Sequence, residues 1–264
     1  MPALEVLRLD GACGLGRKQP PLLFVHGASH GAWCWAEHYL GYFADGGHDV
    51  HAVSLRGHAG SAGRDRLDDF GLGDFVDDVL EVAATIPGRP AVVGHSLGGV
   101  IAQLAVAIAP TTFSAVVLLA SALPGALTPR EMARVLRSPR GSAALLRLQS
   151  GGSLSVKATN DLPFFGGQLT PDQAARFSKL LQPESRRALR EVRTSAAAPG
   201  PFPVPLLVLG SRQDAVVGPS AVQRAAHHYG QDAVLLEGGC HDLMLDPAWE
   251  ASAGEIRQWL DASL

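Results

Sequence analysis

Short runs of consecutive apolar residues alternate along this chain with longer segments whose apolar positions recur every three or four residues. The runs Leu22–Val25, Val50–Ser54, Ala91–Gly94, Ala115–Leu119, Leu206–Leu209 and Ala233–Leu236 are largely apolar at both phases of a two-residue period. That pattern predicts strands buried on both faces. Between them, Phe70–Ile86 and Leu97–Ala109 carry helical spacing, and Pro110 stops the second. A more weakly signalled strand pair is expected near Leu4–Leu9. The alternation predicts an α/β protein with a mostly parallel sheet covered by helices on both faces.

The alternation fails between Leu123 and Pro203, where no buried strand is written. Helix starts appear instead. Thr128-Pro129-Arg130-Glu131 and Thr170-Pro171-Asp172-Gln173 each place a capping Thr before Pro at the first helical position, with an acid or amide at the third. After the second, Ala174, Phe177, Leu180 and Leu181 supply one apolar face. A stretch of about 80 residues is too long for a plain connection. The predicted organisation is a core of residues 1–122 and 204–264, interrupted by a helical lid at 123–203. Such a lid would lie over the carboxyl ends of the strands, where open α/β sheets hold ligands.

Composition narrows the setting. A hydrophobic content of 47% with 18% charged residues is enough to build a sizeable core. The formal net charge of -3 leaves no basic footprint for nucleic acid, and Arg186, Arg187, Arg190 and Arg193 read as a solvated helix face. No apolar stretch reaches the roughly 18 residues that a bilayer demands, and Met1–Val6 has no basic segment leading into an apolar run. Cys13, Cys34 and Cys240 are odd in number and lack metal-like spacing. They argue against a disulfide framework or a zinc site and make the cytoplasm the expected compartment.

Gly94-His95-Ser96-Leu97-Gly98 is a G-x-S-x-G pentapeptide set directly between an apolar strand and an apolar helix. A sharp strand-to-helix turn needs small flanking residues, and it projects the central hydroxyl at a helix N-terminus that favours developing negative charge. A serine hydroxyl is a poor nucleophile at neutral pH, so it needs a base within hydrogen-bond reach and a third group to orient that base. The chain order Ser, acid, His goes with this turn. The best acid is Asp214, after the strand Leu206–Leu209, and the best base is His241, after the strand Ala233–Leu236.

Other candidates fit less well. Of the ten histidines, His227 and His228 stand late in a predicted helix, His58 sits in a Gly-rich turn and His95 fills the variable slot of the pentapeptide. These suit structural or pocket-lining roles. Asp242 adjoins the base rather than following the acid's strand, and Asp246-Pro247 reads as a helix cap. Donors for an oxyanion are expected from the backbone N–H groups of Leu97 and of Ala28, the latter in His26-Gly27-Ala28 after an early strand. Trp33, His95, Phe164 and Phe165 are the candidate pocket walls, beside Leu162 and Pro163, although Trp33 and Trp35 suit core packing equally well.

Together these residues resemble the α/β-hydrolase superfamily. The segment His26-Gly27-Ala28-Ser29-His30-Gly31-Ala32-Trp33-Cys34-Trp35 resembles plant methylesterases and hydroxynitrile lyases in particular, as do Val93–Gly99 and Gly239–Asp242. The insertion with Phe164-Phe165 and Thr170–Leu181 is similar in outline to bacterial members of that group. The resemblance implies an eight-stranded sheet, a helical lid, a Ser96–Asp214–His241 triad and no cofactor. The apolar candidate pocket walls make small or medium hydrophobic esters the expected substrates. Hydroxynitrile lyases of this group place a Thr where this chain has Gly27 and a Lys where it has Asp242. Thioesterases, lactonases and ligand-binding receptors share the fold, so resemblance alone names no substrate.

Overall fold

The computed structural model describes residues 3–12, 19–125, 128 and 133–264. Its sheet contains β1 (Val6–Leu9), β2 (Leu22–Val25), β3 (Val50–Val53), β4 (Ala91–His95), β5 (Ala115–Leu119), β6 (Leu206–Ser211) and β7 (Ala233–Leu236). They lie in the order β1-β3-β2-β4-β5-β6-β7. β1 runs antiparallel to β3, and every other pairing is parallel. The predicted apolar runs are the observed strands to within two residues. The eight strands implied by resemblance are corrected to seven among the described residues, and the pair expected near Leu4–Leu9 is the single strand β1. Residues 13–18, between β1 and β2, lie outside the described residues.

The two-residue period divides the strands between two cores. Leu22 and Phe24, Ala91 and Val93, Val117 and Leu119, and Leu207 and Leu209 face one apolar cluster. Their neighbours Leu23, Val25, Val92, Val116, Leu118 and Val208 face the other. The first face is covered by α1 (Trp33–Ala36) and α2 (Tyr39–Asp45), where Trp35 packs on Phe24 with ring centroids 4.9 Å apart and on Tyr39 at 5.4 Å. The second is covered by α3 (Leu72–Thr85) and α4 (Leu97–Ile108), which supply Phe75, Val79, Ile101 and Ala105.

Between β5 and β6 the chain forms α5 (Pro139–Gln149), α6 (Val156–Asn160), α7 (Pro171–Leu180) and α8 (Arg186–Thr194). The Thr170 start of α7 is a full capping box: Thr170 Oγ1 accepts the Gln173 N–H at 3.2 Å and Gln173 Oε1 accepts the Thr170 N–H at 2.9 Å. The other predicted start, Thr128–Glu131, lies outside the described residues apart from Thr128. Phe164, Phe165 and Phe177 of this segment belong to the same apolar cluster as Trp35 and Phe24. After β6 come α9 (Pro219–His228) and, after β7, α10 (Trp249–Ser263). Among the described residues no helix is long and apolar enough to cross a membrane.

The turn from β4 into α4 is built on close backbone approach. A Cβ on Gly98 would strike the carbonyl oxygens of Val25 and His26, and one on Gly94 would strike the carbonyl of Gly98. These obstacles are backbone, which cannot rotate away. Gly98→Ala is therefore expected to destabilise the protein by about 3 kcal/mol, the upper part of the range for overpacking. A thermal or urea unfolding midpoint indistinguishable from wild type would refute the close-approach argument.

Candidate active site

Ser96 sits at the tip of that turn with φ 51° and ψ -114°, a backbone conformation rarely adopted by non-glycine residues. The strain is held from several sides. The Ser96 N–H donates to the Leu119 carbonyl at 3.0 Å, while its own carbonyl accepts from Gly99 N at 3.0 Å and from Ser121 Oγ at 2.8 Å. The hydroxyl thereby projects beyond the strand at the start of α4.

Asp214 and His241 arrive on the loops after β6 and β7. Ser211 Oγ donates to the Gly239 carbonyl at 2.7 Å and so ties the two loops together. His241 Nδ1 lies 2.8 Å from Asp214 Oδ2, and His241 Nε2 lies 3.0 Å from Ser96 Oγ. The second oxygen of Asp214 accepts the Val216 and Val217 N–H groups at 2.7 and 2.9 Å, which fixes the carboxylate plane. All three residues chosen from the sequence thus meet in one hydrogen-bonded series. Asp246 does otherwise: Oδ2 accepts the Cys240 N–H at 2.7 Å and Oδ1 the Ala248 N–H at 2.8 Å, just before α10.

Burial works against a charged His241, but the Asp214 carboxylate outweighs it and raises the imidazole pKa above its ordinary value. His95 behaves oppositely. Burial first, and then the neighbouring His241, push its pKa down to about 3. Neutral His95 donates from Nε2 to the His241 carbonyl at 3.0 Å, bracing the His241 loop from behind. Asp242 is fully buried with Oδ2 3.0 Å from His30 Nε2. Burial raises its pKa, but His30, His95 and His241 together outweigh burial and hold it below the ordinary carboxylate value.

Ser96 and His241 open onto a cavity of about 190 Å³ whose walls include Ala28, Leu97, Val100, Leu123, Phe164, Leu189, Val192 and Val216. Of the predicted wall residues, His95 and Phe164 line it. Trp33 and Phe165 do not, which corrects the expectation. The Trp33 ring is packed between His30, 5.2 Å away, and Phe177, 5.4 Å away, and Phe165 stacks on Phe177 at 5.9 Å. Both rings serve the core layer behind the wall. Ala28 and Leu97 border the cavity beside Ser96, and among the described residues neither backbone N–H has a protein partner.

A model of the Alpha/beta hydrolase family matches residues 22–253. The chain belongs to that family. It is 37% identical over 115 residues to norfluorocurarine synthase 2 from a Strychnos species, covering 42% of each protein. It is 40% identical over 107 residues to the probable esterase PIR7A of Oryza sativa subsp. indica, covering 39% of this chain and 40% of that protein. The matched stretch thus spans about two fifths of the length of these curated relatives. Among solved structures, the esterase EaEST of Exiguobacterium antarcticum covers 98% of this chain and 96% of its own, with a TM-score of 0.78 at 14% identity. That likeness is one of fold.

Two features of this alpha/beta hydrolase were invisible to sequence reasoning. One is the His30–Asp242 pair beside His241. The other is a largely buried set formed by His58, Gln149, Gln182 and Glu184, which joins the inserted segment to the loops after β2 and β3. In both cases the partners stand in separate segments of the chain, and no spacing or periodicity marks them as partners. His95, His241 and Asp242 bring possible metal-ligating atoms within 4.8 Å of one another. Both nitrogens of His241 and Nε2 of His95 are already engaged within the protein, so the donor set does not suit a structural zinc.

The His241 ring is expected to titrate above the roughly 6.5 of an ordinary imidazole. Asp214→Asn removes the charge that raises it and should lower that midpoint. Ring-proton NMR across pH measures both, and an upward shift in Asp214→Asn would show that another group controls the His241 ring.

Proposed function

We propose that this alpha/beta hydrolase cleaves small to medium hydrophobic carboxylic esters through an acyl-enzyme on Ser96. The observation that carries the reading is the Ser96–His241–Asp214 series opening onto a cavity with largely apolar walls. Residues 123–203 act as the lid over that cavity, contributing Phe164, Leu189 and Val192 to its wall.

In the forward step Ser96 Oγ attacks the ester carbonyl as its proton passes to His241 Nε2. Asp214, fixed by two backbone N–H groups, keeps the proton on His241 Nδ1 and stabilises the imidazolium that forms. The tetrahedral oxyanion takes the Ala28 and Leu97 N–H groups, usually a large electrostatic contribution in acyl transfer. His241 then returns its proton to the departing alcohol. Water repeats the sequence on the acyl-enzyme, releasing the acid and restoring Ser96.

Ser96→Ala should abolish nearly all ester hydrolysis while leaving the unfolding midpoint close to wild type, because the hydroxyl lies outside the packed core. A fluorophosphonate probe is expected to label the wild type alone. Equal labelling of Ser96→Ala would move the nucleophile elsewhere.

Reaction type follows from two positions. A side chain at Gly27 would put its Cβ 2.7 Å from His95 Nδ1 and 3.1 Å from Ser96 Cβ, so a hydroxyl-bearing Thr has no room there. Position 242 holds a carboxylate paired with His30 instead of a lysine that would offset the charge of departing cyanide. Simple p-nitrophenyl and methyl esters should therefore be hydrolysed with negligible cleavage of mandelonitrile. Mandelonitrile turnover above that of every ester tested would overturn the assignment.

A further inference from the structure

We propose that Glu184, carried by the inserted segment, positions the Ala28 N–H donor by holding the next peptide of the same loop, so that the oxyanion site is complete only with the insertion docked. The inference rests on the reading of Ser96 as an acylated nucleophile and adds a positioning residue to it.

The loop after β2 is held group by group. The Gly27 carbonyl accepts from His26 Nδ1 at 2.8 Å, and the Ala28 carbonyl accepts from His30 Nδ1 at 2.8 Å. The Ser29 N–H donates to Glu184 Oε2 at 3.1 Å, and the Ser29 carbonyl accepts the Gln182 N–H at 3.1 Å. Ser29 Oγ accepts from Gln149 Nε2 at 2.9 Å. Of the polar groups from the Gly27 carbonyl to the Ser29 carbonyl, the Ala28 N–H alone has no partner among the described residues. Ala28 lines the cavity that Ser96 shares. Ser29 also holds φ 69°, a left-handed conformation that a non-glycine residue keeps only under external constraint.

Three of those constraints come from the insertion: Gln149 at the end of α5, then Gln182 and Glu184 between α7 and α8. Glu184 is the hub. Its Oε2 takes both Ser29 N–H and His58 Nε2, the latter at 3.1 Å, while Oε1 takes the Ser185 N–H at 2.7 Å and its own N–H donates to Gln149 Oε1 at 3.0 Å. Both carboxylate oxygens therefore face donors in a site closed to water, with Glu184 only 2% exposed. An amide at this position must turn its NH₂ toward one of those donors. Buried carboxylate–imidazole pairs add little net stability compared with apolar packing, so a fixed geometry is the better account of why the loop is held this way.

The test compares wild type, Glu184→Gln, Gln149→Ala and Asp68→Ala on a p-nitrophenyl ester, with butylboronic acid as a tetrahedral adduct of Ser96. Loss of an oxyanion donor costs about 10²–10³-fold in kcat. A donor misdirected rather than lost should cost Glu184→Gln about 10–100-fold, with KM within about threefold and boronate affinity weakened by the same factor as kcat. Gln149→Ala should show a smaller loss of the same kind, and it decides the matter if Glu184→Gln does not fold. Asp68→Ala removes the exposed carboxylate that accepts the Arg186 side chain and N–H at the start of α8, touches neither Ser29 nor Glu184, and should leave all three quantities unchanged. Unaltered kcat and boronate affinity in the folded Glu184 or Gln149 variant, or an equal loss in Asp68→Ala, overturns the inference alone. A wild type inert to both ester and boronate removes the reading of Ser96, and this inference with it.

Discussion

The structure turns on how closely α4 can approach β2 and β4. With only hydrogen on Gly94 and Gly98, the helix starts one residue after the strand ends, and Ser96 is left at the corner in a conformation its neighbours impose. Everything that meets Ser96 is arranged around that corner. β2 delivers the loop bearing Ala28, while β6 and β7 deliver Asp214 and His241 from the other side of the central strands. A shallower turn would sink the hydroxyl into the sheet, and the parallel strand order would then present its loops to nothing.

Around this corner, burial and charge are set against each other with different outcomes at neighbouring imidazoles. His241 keeps a carboxylate at 2.8 Å and becomes easier to protonate. His95, one position before Ser96, has burial and a neighbouring imidazole against it and stays neutral, so it can donate to the His241 carbonyl without competing with His241 for a proton. His26 is likewise neutral. It donates through Nδ1 to Gly27 and accepts the Leu55 N–H through Nε2 at 3.1 Å, so its proton is fixed on one nitrogen. The same residue type thus serves three electrostatic roles within one loop cluster.

Much of this was legible in the sequence because it is written locally. Apolar runs such as Ala115–Leu119 can be buried only as central strands; Ser96 directly follows one such run and Asp214 follows another after a short turn, while His241 follows the half-buried edge strand β7. Trp33 and Phe165 were misplaced because an aromatic residue beside a pocket segment carries no mark of which side it turns to; packing against Phe177 decided that. Glu184 and His58 lie 126 positions apart, and His30 and Asp242 stand in separate loops. Their partnerships exist only once the sheet order has brought those loops together.

Phe165 and Phe177 share one apolar cluster with Trp35, Tyr39 and the outward side chains of β2, β4 and β5. The inserted helices are therefore continuous with half of the sheet's core rather than resting on a finished surface. Modularity is limited accordingly. An insertion transplanted from another protein of this fold would have to bring partners for Trp33 and His30 as well, or leave one face of the host sheet underpacked.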